Sequence, residues 1–184
     1  MAQTTHFRVL SIAPTTRGFG YAVLEGEDLL VAYGRKAIKT GRRQKNVRSL
    51  AVIEKMIVQY LPDVLVLPAV HAKGVYRQPR IKELHRLVVE LAKQHKLRVT
   101  QISRIEVRRS LLGEPNGTKH RVAELLAKRF SDELSSRLPP LRKCGHNEDG
   151  RMDMFDAVSL VTGFKSKNGK KTNHDAAKVA AWRS

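Results

Sequence analysis

Leu10-Ser11-Ile12-Ala13-Pro14-Thr15-Thr16-Arg17-Gly18-Phe19-Gly20-Tyr21 reads as the end of one strand, a turn and the start of a second strand. Apolar, β-prone residues flank Pro14-Thr15-Thr16-Arg17, a composition that interrupts a strand and reverses the chain. Extended outward, the same pattern predicts strands over Phe7–Ala13, Gly18–Glu25 and Leu29–Ile38, with Gly26-Glu27-Asp28 as the second turn. Three short strands joined in this way form an antiparallel meander.

Beyond residue 38 the apolar period changes from two to about three and a half. Leu50, Ile53, Ile57 and Leu61 predict an amphipathic helix that Pro62 ends. Val64–Leu67 is an unbroken apolar run, the pattern of a strand covered on both faces. Ile81, Leu84, Val88 and Leu91 predict a second helix and Arg98–Ile102 a fifth strand, with further helices over Arg104–Leu112, Lys119–Phe130 and Met152–Phe164. The order βββ-α-β-α-β-α-α-α predicts an α/β fold: a mixed five-stranded sheet, three strands antiparallel and then parallel ones, with helices on both faces. It is the ribonuclease H-like order. Residues 1–164 are expected to form one domain, and the basic stretch 165–184, with Trp182 near its end, a tail that is mobile or ordered by a partner.

The chain has 35 Lys+Arg against 17 Asp+Glu, a net charge of +18 that calls for a polyanionic partner, nucleic acid first. Cationic contacts along a phosphate backbone release condensed counterions, so a strongly basic surface is favoured there. A single cysteine, Cys144, excludes an intramolecular disulfide framework and a Cys-based zinc site. No apolar run approaches the ~20 residues of a membrane span, and Met1–His6 lacks a signal-peptide profile, so a cytoplasmic protein is expected.

Four stretches carry a family resemblance. The first is the opening strand-turn-strand around Ala13. The second is Gln59-Tyr60-Leu61-Pro62-Asp63-Val64-Leu65-Val66-Leu67-Pro68, a helix running into Pro-Asp and a strand. The third is the basic segment Ser103–Gly113 followed by Thr118-Lys119-His120-Arg121-Val122, and the fourth is Asp153-Met154-Phe155-Asp156-Ala157. In this order and spacing the chain resembles the RuvC-type Holliday-junction resolvases over about residues 7–164. The resemblance implies a nuclease fold, DNA recombination as the setting, and a metal site of four carboxylates for Mg²⁺ (or Mn²⁺), with a lysine near the scissile phosphate. Asp153 and Asp156 match two of those carboxylates and Lys119 matches the lysine. The other two positions are Ala13 and Pro68, which cannot ligate a metal.

Two-metal phosphodiester hydrolysis needs hard oxygen ligands converging from separate elements. Asp153 and Asp156, three apart on a helix, share a face and are candidates to touch one ion, with Asp149 as an extension of the stripe; otherwise they are acids favoured by a helix N-terminus. Lys119 is a candidate to neutralise developing charge, or an ordinary helix-start lysine. For nucleic-acid binding, Arg42, Arg43, Lys45, Arg48, Lys73, Arg77 and Arg80 fall in or beside two basic loops, Lys39–Lys45 and His71–Arg80, that the resemblance implies are near the substrate, and are candidates for phosphate contact. His71 and Tyr76 are candidates to stack on an unpaired base, and Arg104, Arg108 and Arg109 form a further basic face.

The sequence thus points to a nucleic-acid-binding protein that recognises branched or distorted DNA through a degenerate nuclease site, as a homodimer or as a subunit of a DNA-processing assembly. Two alternatives stay open. One is a Mg²⁺-dependent Holliday-junction endonuclease whose aspartate at position 13 has been replaced by design. The other is an RNA- or ribosome-associated basic protein.

Overall fold

Strand β1 (Arg8–Pro14) is buried along almost its whole length because it lies at the centre of the sheet, with neighbours on both edges and helices on both faces. The computed structural model describes residues 7–70, 78–142 and 148–181, without the side chains of residue 42 and of residues 168–181. Strands β2 (Gly18–Glu25) and β3 (Leu29–Ala37) complete the antiparallel meander. Strands β4 (Val64–Pro68) and β5 (Arg98–Ile102) add in parallel on the other side of β1, giving the order β3-β2-β1-β4-β5.

Alternation within each strand sorts its side chains between two cores. Leu10, Ile12, Phe19, Val23, Leu65 and Leu67 face helices α1 (Arg42–Tyr60) and α2 (Pro79–Gln94), where Ile53, Ile57, Leu84, Val88 and Leu91 meet them. Val9, Ala13, Ala22, Leu24, Val64 and Val66 face the opposite way, toward α3 (Arg104–Leu112), α4 (Lys119–Arg129) and α6 (Met152–Ala181). The short helix α5 (Ser131–Leu134) and a following 3₁₀ turn (Ser135–Arg137) lie between α4 and α6 in the chain, and sequence periodicity gave no sign of either. Burial of each large apolar side chain contributes about 1.5–3 kcal/mol, so both cores are needed to offset the cost of ordering the chain.

Three helix boundaries differ from expectation, each for a local reason. Helix α1 begins at Arg42, so Arg42, Arg43 and Lys45 belong to its first turns and not to a loop. The apolar stripe that located this helix begins only at Leu50; the preceding residues are Arg, Gln, Lys and Asn on an exposed turn. Arg80 lies in the first turn of α2, where Pro79 supplies a favourable helix start. Helix α6 does not stop at Phe164 but continues to Ala181. Phe164 is its last buried apolar residue among those whose side chains are described, and the sequence from 165 to 181 offers only Val179 as a large apolar residue, so no periodic stripe marks it.

Helix α3 starts in a reciprocal capping box. The Ser103 hydroxyl accepts from the Glu106 amide at 3.2 Å, and the Glu106 carboxylate accepts from the Ser103 amide at 2.9 Å. Lys167 of α6 reaches the same carboxylate at 2.7 Å. With the Lys167 hydrogen bond as the largest cause and the Ser103 amide next, the Glu106 carboxyl is lowered from 4.5 to about 2. A carboxyl lowered in the fold stabilises above its ordinary value, so this contribution is complete above pH 4.5 and is lost as the pH falls toward 2. Replacing Ser103 by Ala should cost about 1 kcal/mol, read as a lower urea midpoint at unchanged slope. An unchanged midpoint would show that the box contributes nothing.

Candidate functional site

The β1–β2 and β2–β3 registers place Ala13 opposite Gly20 and Gly20 opposite Arg35. The β1–β4 register, carried two residues past Ser11–Val66, brings Pro68 beside Ala13, and Pro68 pairs in turn with Ile102. One row of residues, Arg35-Gly20-Ala13-Pro68-Ile102, therefore crosses the sheet on its α6 face, at the C-terminal ends of the parallel strands. Clefts of open α/β sheets form at this end, where strand order changes direction.

Helix α6 lies directly on that row. Gly20 makes this approach feasible, since a Cβ there would overlap the backbone carbonyl of Asp153. Ser11 donates to the Ala157 carbonyl at 2.8 Å and fixes the next turn of the helix to β1. Asp153 and Asp156 thus stand over the sheet, one turn apart. They turn to different partners. The Thr15 hydroxyl donates to Asp153 Oδ2 at 3.3 Å, and Arg35 Nε lies 3.4 Å from the same oxygen. Burial raises the Asp153 carboxyl above its ordinary value, against the pull of Arg35, and the neighbouring Asp156 charge raises it further.

Asp156 accepts from Lys119 Nζ at 2.8 Å, and the same ammonium lies 3.0 Å from Glu148. Lys119 is set at the start of α4 by Thr118, whose hydroxyl accepts from the Arg121 amide. Asp149 precedes α6 and is engaged by Arg151 at 2.7 Å, so it does not extend the acidic stripe toward the cleft.

Beside Ala13 and Pro68, the two positions where the resemblance implied acids, there is an apolar cavity of about 60 Å³. Ala13, Pro68, Ile102, Val107, Val122 and Phe155 line it, with Arg104, Arg108, Lys119 and Asp156 among its polar walls. An adjoining polar cleft of about 300 Å³ shares Arg104, Lys119 and Asp156 with it and continues past Thr16, Arg17 and Asp153. Hard-cation sites need several oxygen ligands at short range. Among the described residues no group of three or more His, Cys, Asp or Glu is placed to hold a metal ion. The donors among the described residues do not fit the Mg²⁺ or Mn²⁺ pair that the resemblance implied.

The sequence-derived cations divide into three groups. Arg104 and Arg108 stand on the cavity with Lys119, whereas Arg109 does not line it. Lys45 reaches the Thr16 carbonyl at 3.5 Å, and Arg43 and Arg48 are exposed on the same end of α1. Arg80 donates to the Thr15 carbonyl and, at 2.9 Å, to Asn46, tying the start of α2 to α1 and to the β1–β2 turn. His71, Lys73, Tyr76 and Arg77 lie outside the described residues, as does the side chain of Arg42. Arg35, Thr15 and Glu148 were missed from the sequence. For Arg35 a usable signal existed: counting back from the Gly26-Glu27-Asp28 turn places it near Gly20, hence in the row of Ala13.

No protein-family model matches the sequence, and no curated protein matches it. Solved structures do match. The chain is similar to Thermus thermophilus RuvC, with 16% identity, a TM-score of 0.63 and coverage of 90% of this chain and 98% of that one. The fold is that of RuvC. Thermus thermophilus RuvC in complex with Holliday junction substrate matches at 15% identity and a TM-score of 0.64, over 86% of this chain and 92% of that chain. The yeast mitochondrial Holliday junction resolvase Ydc2 matches at 15% identity and 0.61, over 88% of this chain and 78% of that one. The likeness establishes a RuvC-like, ribonuclease H-like sheet with helices on both faces. Among the described residues no helix is long and apolar enough to cross a membrane.

Proposed function

We propose that this protein binds nucleic acid, branched or distorted DNA in particular, and does not cut it. The observation that carries the reading is the row Arg35-Gly20-Ala13-Pro68: it runs beneath a cleft edged by Arg104, Arg108 and Lys119, yet offers no carboxylate from the sheet. A phosphate backbone entering this cleft meets cations from α3 and α4 on one side. Those at the starts of α1 and α2 flank the β1–β2 turn on the other. Backbone contacts of this kind fix the position of a strand without reading its sequence. A RuvC fold seen with a Holliday junction supports a junction as the preferred shape.

Hydrolysis needs an activated water and a stabilised leaving oxygen, both of which two-metal nucleases obtain from their ions. Here the two remaining acids already hold ammonium and guanidinium groups. Incubating the protein with labelled four-way junction, duplex and RNA, with Mg²⁺ or Mn²⁺, is expected to give a mobility shift strongest for the junction and no product. Metal-dependent cleavage by the unmodified protein would overturn the silent-site reading. Absence of any shift at low salt would remove the binding claim, and preference for RNA would transfer it to the RNA-associated alternative. Cytoplasmic location, and assembly as a homodimer or within a DNA-processing complex, are part of the same proposal.

A further inference from the structure

Asp153 has two neighbours, and one of them is a cation, which a metal ligand would not ordinarily keep. Thr15 holds one oxygen from the β1–β2 turn, and Arg35 reaches that oxygen from β3, two strands away from β1. The reach depends on two glycines. Gly20 puts no side chain between β3 and the helix, and Gly150 leaves room for the guanidinium itself, which an added Cβ would overlap. The side chain of Arg35 is 32% exposed and that of Asp153 only 15%, so the pair is partly buried behind Asp153, which lines the cleft, and is not a loose surface contact.

We propose that Arg35 is a resident cation of this site, occupying the position from which a divalent ion would neutralise Asp153, and that it excludes metal from the cleft. The proposal rests on the silent-site reading and deepens it. The sheet offers Ala13 and Pro68 and no acid, and the positive charge beside Asp153 is provided by the chain. A guanidinium suits this role because it stays protonated at every relevant pH and offers a planar set of donors to a carboxylate. Lys119 does the same for Asp156 from the opposite wall, at 2.8 Å. A metal entering between the two acids would face both cations, and like charges a few ångströms apart in a partly buried cleft repel strongly.

It follows that restoring the acids alone does not restore the metal site. Mn²⁺ titration, read by the loss of free-ion electron paramagnetic resonance signal, compares four proteins: the unmodified chain, Ala13→Asp/Pro68→Glu, that pair with Arg35→Gln, and Arg35→Gln alone. The unmodified chain and the pair are expected to bind Mn²⁺ weakly and alike. The triple variant should bind at least about tenfold more tightly than the pair, and Arg35→Gln alone should show a smaller gain over the unmodified chain. Using Arg35→Lys in the triple should return affinity to the level of the pair, because the charge is kept. Equal affinity of pair and triple would overturn the proposal, and so would no gain from Arg35→Gln alone. That single variant keeps the apolar cavity intact, so the result stands even where the triple fails to fold. Cleavage or loss of nucleic-acid binding by the unmodified protein bears on the underlying reading and is measured separately.

Discussion

Raising the salt from about 50 to about 200 mM is expected to weaken nucleic-acid binding by roughly a thousandfold. The estimate comes from the cations around the cleft. Arg43, Lys45, Arg48, Arg80, Arg104 and Arg108 are placed on its two flanks, and roughly six neutralised phosphates give a slope of about −5 for log affinity against log salt on duplex arms. Lys119 is left out of this sum because the carboxylates of Asp156 and Glu148 already neutralise its charge. Single substitutions divide the effect: Arg104→Ala or Arg108→Ala should lower affinity for all sequences alike and reduce the magnitude of the slope by about 1 each. Arg109→Ala, away from the cavity, should change the slope less. Filter binding or fluorescence anisotropy across a salt series measures all of these. A slope near zero would mean that the net charge of +18 is not what holds the ligand.

The sequence and the structure agree most closely where the physics is periodic. Alternation in β1 and β2, the unbroken run of Val64–Leu67 and the helical stripe from Leu50 to Leu61 each reflect burial against a defined neighbour, and the sheet order follows from them. Helix limits were misplaced where no apolar period marks the sequence: Arg42 to Lys45 at the start of α1 and the residues after Phe164 at the end of α6. In the site, Ala13 and Pro68 stood out in sequence because the resemblance implies acids at those two positions. The contact between Arg35 and Asp153 was not legible. Arg35 acts across Gly20, through a contact between residues 118 positions apart, and a charged residue near the end of an edge strand looks in sequence like ordinary surface. The separate partners of Asp153 and Asp156 were hidden likewise, since helical spacing gives a shared face but not what stands opposite each residue.

Gly20→Ala is expected to destabilise the fold by about 3 kcal/mol or more, at the upper end of overpacking costs. A typical domain has only about 5–15 kcal/mol in total, so much of its stability is at stake. The methyl group would overlap the carbonyl oxygen and carbon of Asp153, and the next atom it meets is the Met154 nitrogen, also backbone. No rotamer change relieves such a clash; either β2 or the start of α6 must move. Movement of α6 also separates Asp153 from Arg35 and draws Phe155 out of a core in which it is 2% exposed. Two other glycines give the scale. Gly41 has open space around the added Cβ and no unusual backbone angle but caps the start of α1, so Gly41→Ala should cost no more than about 1 kcal/mol. Gly26 also has open space but sits at φ +60°, so Gly26→Ala should cost about 1–2 kcal/mol for left-handed backbone alone. Urea unfolding of the three variants would order them Gly20, Gly26, Gly41 from most to least damaging. A Gly20→Ala midpoint within error of the Gly41→Ala midpoint would contradict the direct seating of α6 on β2, and with it the path by which Arg35 reaches Asp153.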